Sequence, residues 1–147
     1  MKYFTVAFAM VIGITALWMS QKLIRLYFTV GGWHKTQAKV LSKEVIFDAQ
    51  STSQGYPYLV KVEYSYRYNN IDYLGNTVNL VELSGGTNTY RKAGSERRLS
   101  KIQNEASIFV NPENPSQSVM YRDGVILYFF IFIMGFFSII IGLSKLF

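Results

Sequence analysis

Apolar residues run without a charge over positions 3–20 and again over 125–143. Each run is close to the roughly 20 residues a helix needs to cross about 30 Å of hydrocarbon. The stretch between them is polar and mixed in pattern. The arrangement predicts a membrane α-helical hairpin: two transmembrane helices carrying a small β-rich domain with one short helix. Residues 1–30 are the first transmembrane helix with an interfacial extension, 31–124 the soluble domain, and 125–147 the second transmembrane helix. Both termini then lie on one side and the domain on the other. A cleaved signal peptide competes for the first run, with Lys2 as its charged start. The run exceeds the roughly 7–15 apolar residues of such a peptide, and no Ala-x-Ala site follows it.

Helical spacing continues past Ser20. Leu23, Ile24, Tyr27 and Phe28 recur with Lys22 and Arg25 between them. Gly31 and Gly32 then end the helix. Trp33 suits either a membrane interface or the first position of the domain core. From Thr36 the period becomes two, with Thr36, Ala38 and Val40 alternating with Gln37 and Lys39. The clearest strand covers 60–68. Val60, Val62, Tyr64, Tyr66 and Tyr68 share one face; Lys61, Glu63, Ser65 and Arg67 share the other. The tyrosine row is read as the packed side of a sheet and not as an aromatic binding face. Asn69 and Asn70 tolerate positive φ and predict a tight turn. The return strand runs from Ile71 toward Val81, with Gly75 marking a bulge or a close backbone approach.

Residues 84–94 are rich in Gly, Thr, Asn and Ser and read as a loop. Ser95 is the expected cap of a short helix containing Glu96. Leu99 and Ile102 share one face of that helix; Arg97, Arg98 and Lys101 share another. Residues 106–110 return to strand character. Asn111 to Pro115 form a rigid turn, because each proline fixes φ. Residues 119–121 form the last short strand.

Charge sharpens this picture. The chain of 147 residues carries a formal net charge of +6, and 13 of its 15 Lys and Arg lie between the apolar runs. Such an excess favours anionic partners, and membrane lipid is the simplest of these. Nucleic acid is not expected, because strand packing already accounts for the tyrosines. Cysteine is absent, which excludes disulfides, thiolate nucleophiles and Cys-type zinc sites.

Three motifs stand in order between the apolar runs. Trp33, Thr36, Ala38 and Val40 spell Trp-x-x-Thr-x-Ala-x-Val. Tyr64, Tyr66, Tyr73 and Gly75 form a Tyr-x-Tyr strand and its return. Asn111, Pro112, Asn114 and Pro115 lead into Ser118 and Val119. Together they resemble a large family of small bacterial membrane proteins known as a domain of unknown function. The resemblance implies a small β-rich domain on a helical hairpin and no established activity. Such proteins often carry a glycine turn before the strand leading to the Asn-Pro loop. Here Asn104 and Glu105 occupy that place, and Asn can adopt the left-handed conformation the turn requires.

No catalytic, cofactor or metal site is expected. His34 is the only histidine and is read as an ordinary interfacial residue. The acidic residues are scattered and show neither metal-loop spacing nor an acid–base pair. Gly85 and Gly86 lack the Gly-Lys-Thr or Gly-Lys-Ser of a phosphate loop. The candidate contact surface for an anionic partner is Arg91, Lys92, Arg97, Arg98 and Lys101, weighed against a solvated helix face. Candidate helix-packing residues are Ala9, Gly13, Ala16 and Ser20 in the first run and Gly135, Ser138 and Gly142 in the second. Small residues at three- and four-residue spacing let helix backbones approach closely.

These features predict a non-enzymatic integral membrane protein. Its domain binds a partner protein at the membrane, as an accessory or regulatory subunit. An immunity protein against a membrane-acting toxin is the alternative. A second copy of the chain stays open as a partner. The expected location is the bacterial inner membrane. Near the spans Lys22, Arg25, Lys35, Lys39 and Arg122 face Lys2 and Lys145 across the bilayer, which alone would put the domain in the cytoplasm. The domain exceeds the loop length over which that rule governs, and the signal-anchor character of the N-terminus favours the domain outside.

Overall fold

The computed structural model of the chain describes residues 2–47, 58–84, 89–122 and 124–144. Two compact units emerge: Met1–Phe28 with Gly124–Phe147, and Thr29–Asp123. The first holds most of α1 (Lys2–Gly31) and all of the C-terminal helix, α4 (Val125–Ser144). Both helices are long and apolar enough to cross a membrane. α1 continues unbroken past Ser20 and ends at the glycines, where Gly32 N donates to Thr29 O and Trp33 N to Val30 O. Two of its hydroxyls bond within the helix: Thr15 donates to Val11 O and Ser20 to Ala16 O. That removes the cost of placing an unpaired polar group in an apolar helix.

The second unit is an antiparallel sheet. β1 (His34–Phe47), β2 (Tyr58–Tyr68), β3 (Ile71–Gly75), β5 (Glu105–Val110) and β6 (Ser118–Val119) lie in the order β3-β2-β1-β5-β6. β4 (Thr89–Tyr90) pairs with the start of β2. The alternation along β2 is as its sequence predicts: Val60, Val62, Tyr64 and Tyr66 are buried while Lys61, Glu63 and Arg67 are exposed. Asn69 and Asn70 hold φ of 50° and 61°, so two asparagines make the turn into β3. The core adds Ala38, Val78, Ile102, Ile108, Val110 and Met120. Burying each large apolar side chain contributes about 1.5–3 kcal/mol.

The structure corrects the reach of β3, the role of Ser95, the extent of the last strand and the turn at Asn104, and it decides between the two readings of Gly75. β3 ends at Gly75 and does not reach Val81. Asn79 there accepts from Glu82 N (3.1 Å) and Glu82 Oε2 accepts from Val78 N (2.5 Å), which winds Leu80–Leu83 into a short helix, α2. Gly75 marks a close approach and not a bulge, since it pairs regularly with Tyr64. The longer helix, α3, covers Lys92–Lys101 and its N-cap is Arg91, so Ser95 is no cap. Ser95 is fully buried inside α3, its hydroxyl directed at Tyr58 O (3.4 Å), and Glu96 falls outside the first turn. The last strand is Ser118–Val119. Met120 and Tyr121 leave it to donate to Thr77 O and Val78 O. Asn104 keeps an ordinary negative φ, and its carbonyl accepts from Val40 N (2.8 Å), extending the β1–β5 ladder without a left-handed turn.

β1 holds a feature its sequence hides. Val40 pairs with Tyr64 and Ser42 with Glu63, leaving Leu41 as a bulge. Beyond it the odd-numbered residues take the core side. Lys43 therefore lies opposite Val62 and reaches over to donate to Ile102 O at the end of α3 (2.5 Å). A cation is favourable at that end of a helix.

Candidate functional site: the basic helix α3

Within Thr29–Asp123 the charges nearly balance, with eleven Lys and Arg against nine Asp and Glu. Five of the eleven lie in 91–101, beside a single acid, Glu96. The structure places all five on α3 or its cap. Arg98 and Lys101 occupy the last turn, where they complement the negative end of the helix dipole. Arg97 and Lys101 are exposed and Arg98 is half-buried. Arg91 and Lys92 are exposed at the opposite end, where the dipole is positive and cations are unfavourable. No side chain caps that end.

Arg98 and Lys101 line a pocket of about 250 Å³ with Val78, Ile102 and Tyr121. Its floor is apolar and its rim is cationic. The sequence grouped Arg97, Arg98 and Lys101 on one helix face but gave no sign of Val78 or Tyr121, which arrive from distant segments. Lys43 was missed too, because the bulge at Leu41 is what aims it at α3.

The packing residues of the two long helices meet in part. A Cβ built on Gly13 would lie 2.5 Å from Ile139 Cγ1 and 2.8 Å from Gly135 O. One on Gly135 would lie 3.1 Å from both Ala16 Cβ and Gly13 O. Gly142 approaches Ala9 and Met10, and Ser138 Oγ donates to Ala9 O (2.9 Å). Ser20 is buried but bonds only to its own helix among the described contacts.

The motif residues converge elsewhere. Tyr64 OH donates to Thr77 O (3.0 Å) and lies 3.0 Å from Ser118 Oγ. Tyr66 OH donates to Pro115 O (2.6 Å), and its ring stacks on Tyr73 at 5.7 Å. Gly75 has no room for a Cβ, which would meet the Tyr64 ring and Ser118 Oγ. Asn111 closes its loop by bonds to Gln117 and to Glu113 N. Burial pushes the Tyr64 and Tyr66 phenols up, so both stay neutral donors. These contacts tie the Asn-Pro loop and the β3 return onto β2. They are framework contacts and bring no reactive group together.

His34 stands edge-on to Tyr68, with ring centroids 5.5 Å apart. Among the described residues no three His, Asp or Glu side chains gather as a metal site. Gly85 and Gly86 lie outside the described residues. No curated protein and no solved structure matches the chain. A family profile, Domain of unknown function (DUF3592), matches residues 36–125. That span takes in the strand from Thr36, the Tyr-x-Tyr hairpin and the Asn-Pro loop, whose residues the fold has drawn into one framework. The chain belongs to this DUF3592 family.

Proposed function

We propose that this is a non-enzymatic, two-span membrane protein whose β-rich domain binds an acidic partner protein through α3, as an accessory or regulatory subunit. One observation carries the reading. Five of the domain's eleven Lys and Arg lie within 91–101 beside a single acid, and Lys92 sits in the first turn of α3, where a cation is unfavourable. An acidic surface laid along α3 relieves that repulsion and meets Arg97, Arg98 and Lys101 as well. The apolar floor of the adjacent pocket gives an uncharged side chain of the partner a place to anchor. The domain's buried polar groups support a binding role over catalysis, because Tyr64, Tyr66, Ser118 and Asn79 are engaged in holding the fold.

The protein sits in the bacterial inner membrane with its domain outside the cytoplasm. The signal-anchor character of α1 supports that orientation. Ser107 is exposed in the domain and Ser144 is exposed at the end of α4. The chain has no cysteine, so Ser107→Cys and Ser144→Cys each introduce a single thiol. An impermeant thiol reagent on intact spheroplasts should label the first alone. Labelling of both, or of neither, sinks the hairpin in that orientation.

The binding reading is tested by changing Arg91, Lys92, Arg97, Arg98 and Lys101 to Gln together. Gln keeps helix propensity nearly constant. The proteins are purified in mild detergent at low and high salt, and co-eluting chains are identified. A partner with an acidic surface should leave with the wild type at low salt only, and be lost from the variant. Equal recovery from both proteins at both salts overturns the reading.

A further inference from the structure

We propose that the outer edge of β3 receives an added β-strand from a basic, extended segment of a partner protein. The two-residue turn at Asn69 and Asn70 makes Tyr68–Ile71 a hydrogen-bonded pair, and pairs of that kind recur at every second position. Tyr66–Tyr73 and Tyr64–Gly75 are therefore the bonded pairs. The N–H and C=O groups of Asp72 and Leu74 point away from β2. Among the described residues none bonds to them, and no strand lies beyond β3.

Natural sheet edges are blunted by proline, bulges, free charges or very short strands. The other end of this sheet, β6, is only two residues long. β3 has five, with no proline and no bulge. Its one charge, Asp72, is taken up by Arg67 in a two-point pair at 2.7 and 2.9 Å. Leu74 is 73% exposed and Ile71 56%. An unblunted edge with apolar side chains along it suits strand addition, in which main-chain bonds give affinity and alternate side chains give specificity.

The occupant's chemistry follows from what lies past the strand. Beyond Gly75 the edge opens into a polar groove of about 280 Å³ lined by Leu74, Asn76, Glu82, Ser116 and Gln117 among others. Among the described residues Glu82 is its only charged lining residue, and its carboxylate, which already accepts from Val78 N, keeps a second oxygen as a further acceptor. A segment alternating apolar and basic residues lays an apolar side chain on Leu74 and sends Lys or Arg toward Glu82. A second copy of β3 does not fit. Its only charge is acidic, and its Asn69–Asn70 turn reverses the chain where the groove requires it to run on.

The test uses the full-length protein in mild detergent and two labelled synthetic ten-residue peptides, one alternating Val and Lys, one alternating Val and Glu. The Val/Lys peptide should bind saturably and at least tenfold more tightly than the Val/Glu peptide. Binding should protect the Asp72 and Leu74 amides from hydrogen exchange. Leu74→Pro removes an outward N–H and no ladder bond, so it should fold and lose at least tenfold in affinity. The α3 five-fold Gln variant should bind the peptide like the wild type, which separates this edge from the α3 reading. The proposal is overturned if the Val/Lys peptide fails to bind or shows no preference over Val/Glu. It is also overturned if binding leaves the two wild-type amides unprotected, a result that does not depend on how Leu74→Pro folds.

Discussion

In the β-rich domain a glycine, Gly75, lies under a tyrosine ring; in the helical unit a glycine, Gly135, lies against the backbone of the other helix. The first gap is filled by a large side chain whose hydroxyl is spent on Thr77 O and Ser118 Oγ. The second is closed by drawing two backbones together, with Ser138 bonded to Ala9 O. The solvents account for the difference. In water, burying an aromatic ring stabilises strongly and its hydroxyl needs a partner. In lipid, aliphatic burial gives no advantage over the solvent, so close packing and a few polar bonds hold helices together. The same chain uses tyrosine in one unit and small residues in the other.

The largest break in that comparison is Tyr64→Ala, which should cost the domain about 3–5 kcal/mol, against about 1–2 kcal/mol for Tyr64→Phe. Denaturant unfolding followed by Trp33 fluorescence measures both. If the two cost the same, the hydroxyl and not the ring holds this point. Gly75→Ala forces a methyl against the ring and Ser118 and should cost about 1–3 kcal/mol by the same assay. Its counterpart, Gly135→Leu, should leave domain unfolding unchanged and separate the helices, seen as slower migration or increased protease cleavage in detergent. Val11→Leu, on an exposed position, is the control. Identical behaviour of Gly135→Leu and Val11→Leu means the helices are held elsewhere.

Ser138→Ala should weaken the helix pair by about 0.6 kcal/mol, the usual size of such a bond in a membrane protein. A loss above about 2 kcal/mol would show that the polar bond, and not packing, dominates there. The smallest effect concerns pH. The Arg67 guanidinium holds the Asp72 carboxyl below the ordinary carboxylate range. A carboxyl depressed on folding stabilises above its unfolded pKa, and that contribution fades as pH falls through the folded value. Both groups are exposed, so the effect on stability is slight. An NMR titration should find Asp72 low in the wild type and near the ordinary value in Arg67→Gln. An unchanged Asp72 in the variant removes the ion pair from the account.

The sequence made the regular parts legible. Val60 to Tyr68 alternates without interruption, so its buried face can be read from residue types alone. Asn69 and Asn70 announce their turn because few other residues accept positive φ. The apolar runs announce helices because lipid demands a long uncharged stretch. What stayed hidden depended on contacts between distant segments. Ser95 looks like a cap because caps favour serine, but tertiary burial overrode that preference. The end of β3 was hidden because the Asn79–Glu82 pair outweighs the strand character of Val78 and Val81. The pocket beside α3 could not be foreseen from Arg98 and Lys101, since Val78 and Tyr121 have no sequence relation to them.

Strand β1 is written in two reading frames. Residues 36–40 face the core on even numbers and residues 43–47 on odd ones, with Leu41 as the spacer letter between them. Removing that letter would leave every pair on either side as it stands, Val40 with Tyr64 and Ser42 with Glu63. Chain length can therefore change inside this strand, at one position, without rewriting the sheet around it. An alignment that treats β1 as an uninterrupted strand would assign Lys43 to the solvent side and lose its bond to α3.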